Sequence, residues 1–114
     1  MEVLVGIDMG TSSTKGVLVT PDGTVLASAQ HDHQISLPRP GWAEVDAERV
    51  WWAEVAEVCR DLTRQAPGPV AGIGISGVGP SLVLCDAGLR PLRPAILYGI
   101  DTRATEEIEV LSRR

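Results

Sequence analysis

Apolar residues crowd the first twenty positions in two bursts. Val3-Leu4-Val5-Gly6-Ile7 runs into Asp8, and Gly16-Val17-Leu18-Val19 follows a turn of small hydroxylated residues, Gly10-Thr11-Ser12-Ser13-Thr14. Val, Ile and Leu on both sides of a glycine-containing turn predict two buried strands of one hairpin, Val3–Asp8 and Thr14–Thr20. Pro21-Asp22-Gly23 makes the next turn, with glycine where a positive φ is often needed. Thr24–Gln30 alternates well enough for a third strand. The chain therefore opens as a three-stranded antiparallel meander.

Beyond residue 30 the pattern changes. His31–Pro40 is polar and contains Pro38 and Pro40, so it reads as a loop that leaves His31 and His33 exposed, with no third ligand nearby for a metal. Asp46 suits a helix N-cap, and Glu48 complements the helix dipole. The helix is predicted over Ala47–Gln65. Trp51, Val55, Val58 and Leu62 share one face, widened by Trp52, Ala56 and Cys59. The tryptophan pair reads as core packing against a sheet in preference to a ligand cleft. Pro67-Gly68-Pro69 ends the helix. Val70–Ser76 is an apolar strand, Gly77-Val78-Gly79-Pro80 a sharp bend, and Ser81–Cys85 a further short strand. After the turn Asp86-Ala87-Gly88 comes its partner, Leu92–Tyr98, with Pro91 and Pro94 marking an irregular edge. A last helix is predicted over Thr102–Arg113, with Ala104, Ile108 and Leu111 on its inner face. A meander, then a helix, then a strand parallel to the first suggests a ribonuclease H-like α/β layer.

Length and charge narrow the function classes. A chain of 114 residues allows one small domain with a modest core. A net charge of −5 argues against a general nucleic-acid or anionic-membrane surface. Cys59 and Cys85 lack metal-ligand spacing and read as reduced core thiols. Met1-Glu2-Val3 has no basic leader pattern and no apolar run approaches a membrane span, so a cytoplasmic protein is expected.

The chemistry concentrates at the first turn. Its backbone N–H groups act as fixed partial positive charges that suit an anion. Asp8, at the strand end, is placed to hold a divalent cation, and Mg²⁺ favours one or two carboxylates together with phosphate oxygens. Asp8, the hydroxyl-rich turn and Lys15 together suggest the phosphates of a Mg·nucleotide. An ordinary hairpin turn has the same composition. Two other nucleotide fingerprints fail on context. Gly10 to Gly16 resembles a P-loop, but Lys15 and Gly16 stand in swapped order and a strand follows. Gly72, Gly74 and Gly77 fit a dinucleotide pattern, but Ile73 and Ile75 alternate as in a strand and no helix opens at Pro80.

Several stretches together resemble the N-terminal domain of the FGGY carbohydrate kinases. They are Gly6-Ile7-Asp8-Met9-Gly10-Thr11-Ser12-Ser13-Thr14-Lys15, Pro40-Gly41-Trp42-Ala43-Glu44-Val45-Asp46 with Trp51 and Trp52, Gly72-Ile73-Gly74-Ile75-Ser76-Gly77, and Arg93-Pro94-Ala95-Ile96-Leu97-Tyr98 with Asp101 and Arg103. They stand in the family's order and span nearly the whole chain. The first stretch is shared with other actin-like ATPases, whereas the Pro-Gly-Trp segment with the double tryptophan is more specific. The resemblance implies an actin-like, two-domain kinase that phosphorylates a sugar or polyol hydroxyl with ATP and Mg²⁺. By that resemblance Asp8 helps hold Mg²⁺, Gly10, Thr11, Ser12 and Ser13 form the phosphate loop, and Lys15 lies near the γ-phosphate. The sugar would meet the bend at Gly79, Pro80 and Ser81, together with Tyr98 and Asp101. Asp101 as a helix cap and Arg103 as a surface residue is the alternative reading of that pair. Xylulokinases carry Gln-Met-His and glycerol kinases Gln-Arg-Glu at this bend. Val78-Gly79-Pro80 offers no polar side chain, so neither substrate is supported there.

Family members are several times longer than this chain. The resemblance places the catalytic base and the adenosine pocket downstream, so residues 1–114 are expected to form an N-terminal part of the first domain, with the second domain missing. Such a part is expected to be inactive alone, to bind ATP weakly and to self-associate through uncovered apolar surface. A non-catalytic nucleotide-binding or interaction module of the same fold is the alternative. A ribonuclease H-type nuclease is a third reading, which the acidic balance weighs against.

Overall fold

The computed structural model describes residues 1–114. The meander is present as β1 (Val3–Met9), β2 (Ser13–Val19) and β3 (Val25–Asp32). Gly23 sits at φ 91° in the turn before β3, a conformation glycine adopts without steric cost. β5 (Val70–Gly77), reached through β4 (Glu44–Val45) and α1 (Ala53–Thr63), adds in parallel beside β1 and completes a four-stranded sheet of order β3-β2-β1-β5. The ribonuclease H-like expectation holds.

The helix predicted over Ala47–Gln65 differs in its first turns. Asp46 caps it as expected, its Oδ1 accepting from the N–H groups of Glu48 at 3.0 Å and Arg49 at 2.8 Å. Ala47–Trp52 is wound wider as a π-helical stretch, in which the N–H of Ala53 donates to the carbonyl of Glu48. Regular α1 covers only Ala53–Thr63. Adjacent helical residues point in different directions, and the two tryptophans part. Trp51 is 8% exposed and packs with Ala43, Val45, Ala95 and Leu97, whereas Trp52 is 68% exposed. The expectation that both pack in the core is therefore corrected, and Trp51 serves a second core instead of the main sheet.

α1 lies on one face of the four-stranded sheet. Val3, Val5 and Ile7 of β1, Leu18 of β2, and Val58 and Leu62 of α1 form one buried cluster. Gly16 allows this close approach. A Cβ there would lie 2.3 Å from Val58 Cγ1 and 2.9 Å from Leu62 Cδ1. The opposite face carries no covering element, and Leu4, Val17 and the glycine pair Gly6–Gly74 lie open along it.

A second, three-stranded sheet was not anticipated as such. It consists of β4 (Glu44–Val45), β6 (Ser81–Leu82) and β7 (Ala95–Leu97), in the order β4-β7-β6. The predicted strands Ser81–Cys85 and Leu92–Tyr98 shorten to these pieces, because Pro91 and Pro94 cannot donate to a ladder. Cys85 forms only an isolated bridge with Pro91 and is exposed, so the expectation of a core thiol fails there, while partly buried Cys59 packs on the main core. Both thiols are free. The last helix, α2 (Thr105–Ser112), is shorter than predicted and has no buried residue. Ile108 and Leu111 are exposed, so its expected inner face meets nothing in this structure. No helix is long and apolar enough to cross a membrane.

Candidate functional site

β1 and β5 run parallel, so their carboxyl ends lie side by side. Crevices outside such ends are where open α/β sheets bind ligands. β1 leads into Gly10-Thr11-Ser12, and β5 leads into the bend at Val78–Ser81. The N–H of Val78 donates to the carbonyl of Met9 at 2.9 Å and ties the two exits together. The turn is closed by the N–H of Gly10 donating to the carbonyl of Ser13 at 2.8 Å. Thr11 and Ser12 are exposed at its tip, whereas Ser13 is already buried in β2.

Strand register builds the charged part of the site. Asp8 is opposite Lys15 across β1–β2 and opposite Ser76 across β1–β5. Lys15, Asp8 and Ser76 thus form a row across three strands, on the face away from α1, in a groove of about 470 Å³. The hydroxyl of Ser76 donates to Asp8 Oδ1 at 3.0 Å. Asp8 lines this open groove, and no other hydrogen bond engages its carboxylate. A lone carboxylate beside an amide-rich turn fits Mg²⁺ that brings its own phosphate and water ligands. It does not make a cage for a free metal ion, and no three His, Cys, Asp or Glu side chains gather anywhere into a metal-holding group. Ser76 escaped the sequence reading. The signal lay in pairing Val70–Ser76 in parallel with the first strand, which puts Ser76 beside Asp8.

The second sheet brings the bend and Tyr98 together. Ser81 is opposite Leu97, the residue before Tyr98. Gly79 and Pro80 are exposed, and the Ser81 hydroxyl donates to the carbonyl of Val78 at 3.0 Å. Tyr98 projects into solvent from a loop tied at both ends. The N–H of Leu97 donates to the carbonyl of Ala43 at 3.1 Å, and that of Thr102 to the carbonyl of Gly41 at 2.7 Å.

Asp101 is engaged within the protein. Its side chain is 5% exposed, and Oδ2 accepts from the N–H of Ala43 at 2.8 Å and from Arg103 Nη2 at 2.6 Å. The reading of Asp101 as a helix cap and Arg103 as a surface residue is corrected, since Ala104 precedes α2 as its cap and Arg103 is nearly buried. Arg103 also reaches Glu44 Oε2 at 2.8 Å and stacks 3.9 Å over the Trp42 ring. Arg93 is the second partner of Glu44. The hydrogen bonds from Arg103, aided by the Ala43 amide, hold the Asp101 carboxyl well below the usual carboxylate range against the opposing effect of burial.

His31 and His33 are not exposed loop residues either. β3 runs on to Asp32 and carries His31 over α1, where Nε2 lies 2.9 Å from Asp61 Oδ2. His33 meets Glu54 at 2.9 Å. The acidic face of α1, which the apolar stripe did not reveal, draws both imidazoles down.

Comparison with known proteins agrees with this fold. Residues 3–114 match the FGGY family of carbohydrate kinases, N-terminal domain. The chain is 38% identical over 108 residues to the xylulose kinase of Klebsiella pneumoniae, covering 94% of this chain and 22% of that one. It is also 38% identical over 110 residues to the glycerol kinase of Methylorubrum extorquens (strain PA1), again covering 94% of this chain and 22% of the relative. Among solved structures, the xylulose kinase from Rhodospirillum rubrum superposes with a TM-score of 0.90 at 35% identity, over 98% of this chain and 24% of that one. The chain thus spans less than a quarter of the length of these relatives.

Proposed function

The chain belongs to the FGGY family of carbohydrate kinases, and on that premise we propose that it supplies the phosphate and metal side of an ATP-dependent sugar or polyol kinase, together with part of the sugar site. One observation carries the reading. The hydroxyl-rich turn and the 78–81 bend share the carboxyl ends of parallel β1 and β5, with Asp8, Lys15 and Ser76 in a row beside them. A phosphoryl donor on the turn and an acceptor hydroxyl at the bend would then be neighbours.

Each side chain has a physical task in this reading. Asp8 holds Mg²⁺, which when bound neutralises phosphate charge. The amides and hydroxyls of Gly10, Thr11, Ser12 and Ser13 cradle phosphate oxygens, and Lys15 adds a compact positive charge. Phosphoryl transfer asks mainly for positioning and charge neutralisation, and these groups offer both. Gly79, Pro80, Ser81 and Tyr98 bound the sugar. Backbone groups dominate that surface, so recognition there depends on shape and main-chain hydrogen bonds. Asp101 takes part only by fixing the loop that bears Tyr98.

No residue here is assigned as the base that accepts the hydroxyl proton. We place that base and the adenosine pocket outside residues 1–114, which form an N-terminal part of the first kinase domain. The isolated segment is therefore inactive, and its exposed Leu82, Leu84, Leu92, Ile108 and Leu111 favour self-association. Two free thiols and a nucleotide donor suit a cytoplasmic protein.

Titration with Mg·ATP tests the reading. The 114-residue chain should bind on the order of 1 mM, since only phosphate-side contacts are present. Asp8→Asn should weaken binding roughly tenfold while leaving the melting temperature unchanged. Equal affinity of the two proteins would remove Asp8 and the turn from the site. Sugar-dependent ATP consumption by residues 1–114 alone, lost in Asp8→Ala, would overturn the assignment of the base elsewhere.

A further inference from the structure

We propose that Thr14, Glu54 and His33 form a buried strut that sets the position of the phosphate turn, with Thr14 as the positioning residue. The proposal rests on the reading that residues 10–13 hold nucleotide phosphates. Within the turn itself one hydrogen bond closes the chain, from the N–H of Gly10 to the carbonyl of Ser13. An amide cradle binds well only when its N–H groups are held in place before the anion arrives.

The strut lies directly behind the turn. Thr14 is fully buried, and its Oγ1 donates to Glu54 Oε2 at 2.7 Å. Glu54 rises from the first turn of α1, 40 residues further along the chain. His33 Nδ1 lies 2.9 Å from the same carboxylate oxygen and 3.2 Å from the other. The backbone of His33 reaches back, its N–H donating to the carbonyl of Ser12 at 2.9 Å. Ser12 and Thr14, on either side of Ser13, are thereby tied to one carboxylate–imidazole pair.

Packing alone does not explain these residues. The side chains of His33 and Glu54 are 6% and 12% exposed. A buried carboxylate and imidazole cost free energy, and apolar side chains of similar size would fill such a space at least as stably. What the polar trio adds is direction, since each hydrogen bond fixes an angle that dispersion contacts leave loose. His33 Nε2 has no partner, so its ring is held through Glu54 alone. α1 thus reaches the phosphate turn through a chain of hydrogen bonds as well as through its apolar face.

The test uses the protein as its gene encodes it. Hydrogen–deuterium exchange of the peptide spanning residues 9–17 reads the turn, Mg·ATP calorimetry reads affinity, and the melting temperature reads the fold. Thr14→Val keeps the shape and removes the donor. It should speed exchange in that peptide about tenfold and weaken Mg·ATP roughly fivefold, and Thr14→Ser should restore both to within about twofold. If Thr14→Val does not fold, Glu54→Gln decides. It keeps an acceptor for Thr14 but loses the charge facing His33, and should speed exchange about threefold. A Thr14→Val protein that melts earlier yet exchanges and binds as wild type overturns the proposal, and so does a Glu54→Gln protein unchanged in both. If wild type shows no Mg·ATP affinity while Thr14→Val still loosens the turn, the strut stands and the phosphate reading falls.

Discussion

The main sheet with α1 rests on six buried aliphatic side chains, Val3, Val5, Ile7, Leu18, Val58 and Leu62. The smaller sheet has a core of Ala43, Val45, Trp51, Ala95 and Leu97, two of them alanines, and is closed by Glu44, Arg93, Asp101 and Arg103. In the first region apolar burial does most of the work and tolerates an open face. In the second, short strands bury little, and directional charge-assisted hydrogen bonds hold the backbone in place. The candidate site straddles the two. Its hydroxyl-rich turn grows from the apolar region, and Tyr98 grows from the ionic one. The difference suggests that substitutions will separate by region in size and in pH dependence.

The largest effect should come from the aliphatic core. Leu62→Ala should cost about 4 kcal/mol in chemical denaturation, because a fully buried leucine leaves a cavity between helix and sheet. A loss below about 1 kcal/mol would mean that this core is not what holds the region.

Next is the ionic region. Asp101→Asn should cost roughly 2 kcal/mol at neutral pH, since Arg103 then loses its charged partner. The pH dependence sharpens the contrast. The native Asp101 carboxyl is held below its ordinary range, so the unfolded chain binds its proton more readily. Its stabilisation is complete above the unfolded value near 4 and is lost as pH falls through the lower native value. The gap between wild type and Asp101→Asn should therefore be constant from pH 5 to 8 and close in stronger acid, whereas the Leu62→Ala gap should not close. A pH-independent Asp101→Asn gap would contradict the ionic account.

Smaller effects mark the seams. Asp46→Ala removes the cap of the helix that joins the two regions and should cost about 1 kcal/mol. Ser76→Ala, on the open face beside Asp8, should change stability by less than about 0.5 kcal/mol. A larger loss would show that the Lys15–Asp8–Ser76 row carries the fold as well as the site.

The amino-acid sequence by itself determined the meander, the parallel fifth strand, the Asp46 cap and the hydroxyl-rich turn. Each is written in neighbouring residues, as alternation, a helical stripe or a turn signal. The family motifs were likewise local strings. Tertiary structure decided what those strings meet. It buried Trp51 against Ala43, Val45, Ala95 and Leu97 and left Trp52 exposed. It joined Glu44 to Arg93 and Arg103 across 49 and 59 positions, and turned Asp101 inward against Ala43. It brought Thr14, His33 and Glu54 into one strut and set Ser76 beside Asp8. Polar partners far apart in sequence leave no periodic trace, because a hydrogen bond depends on where two folded segments meet and not on the spacing within either one.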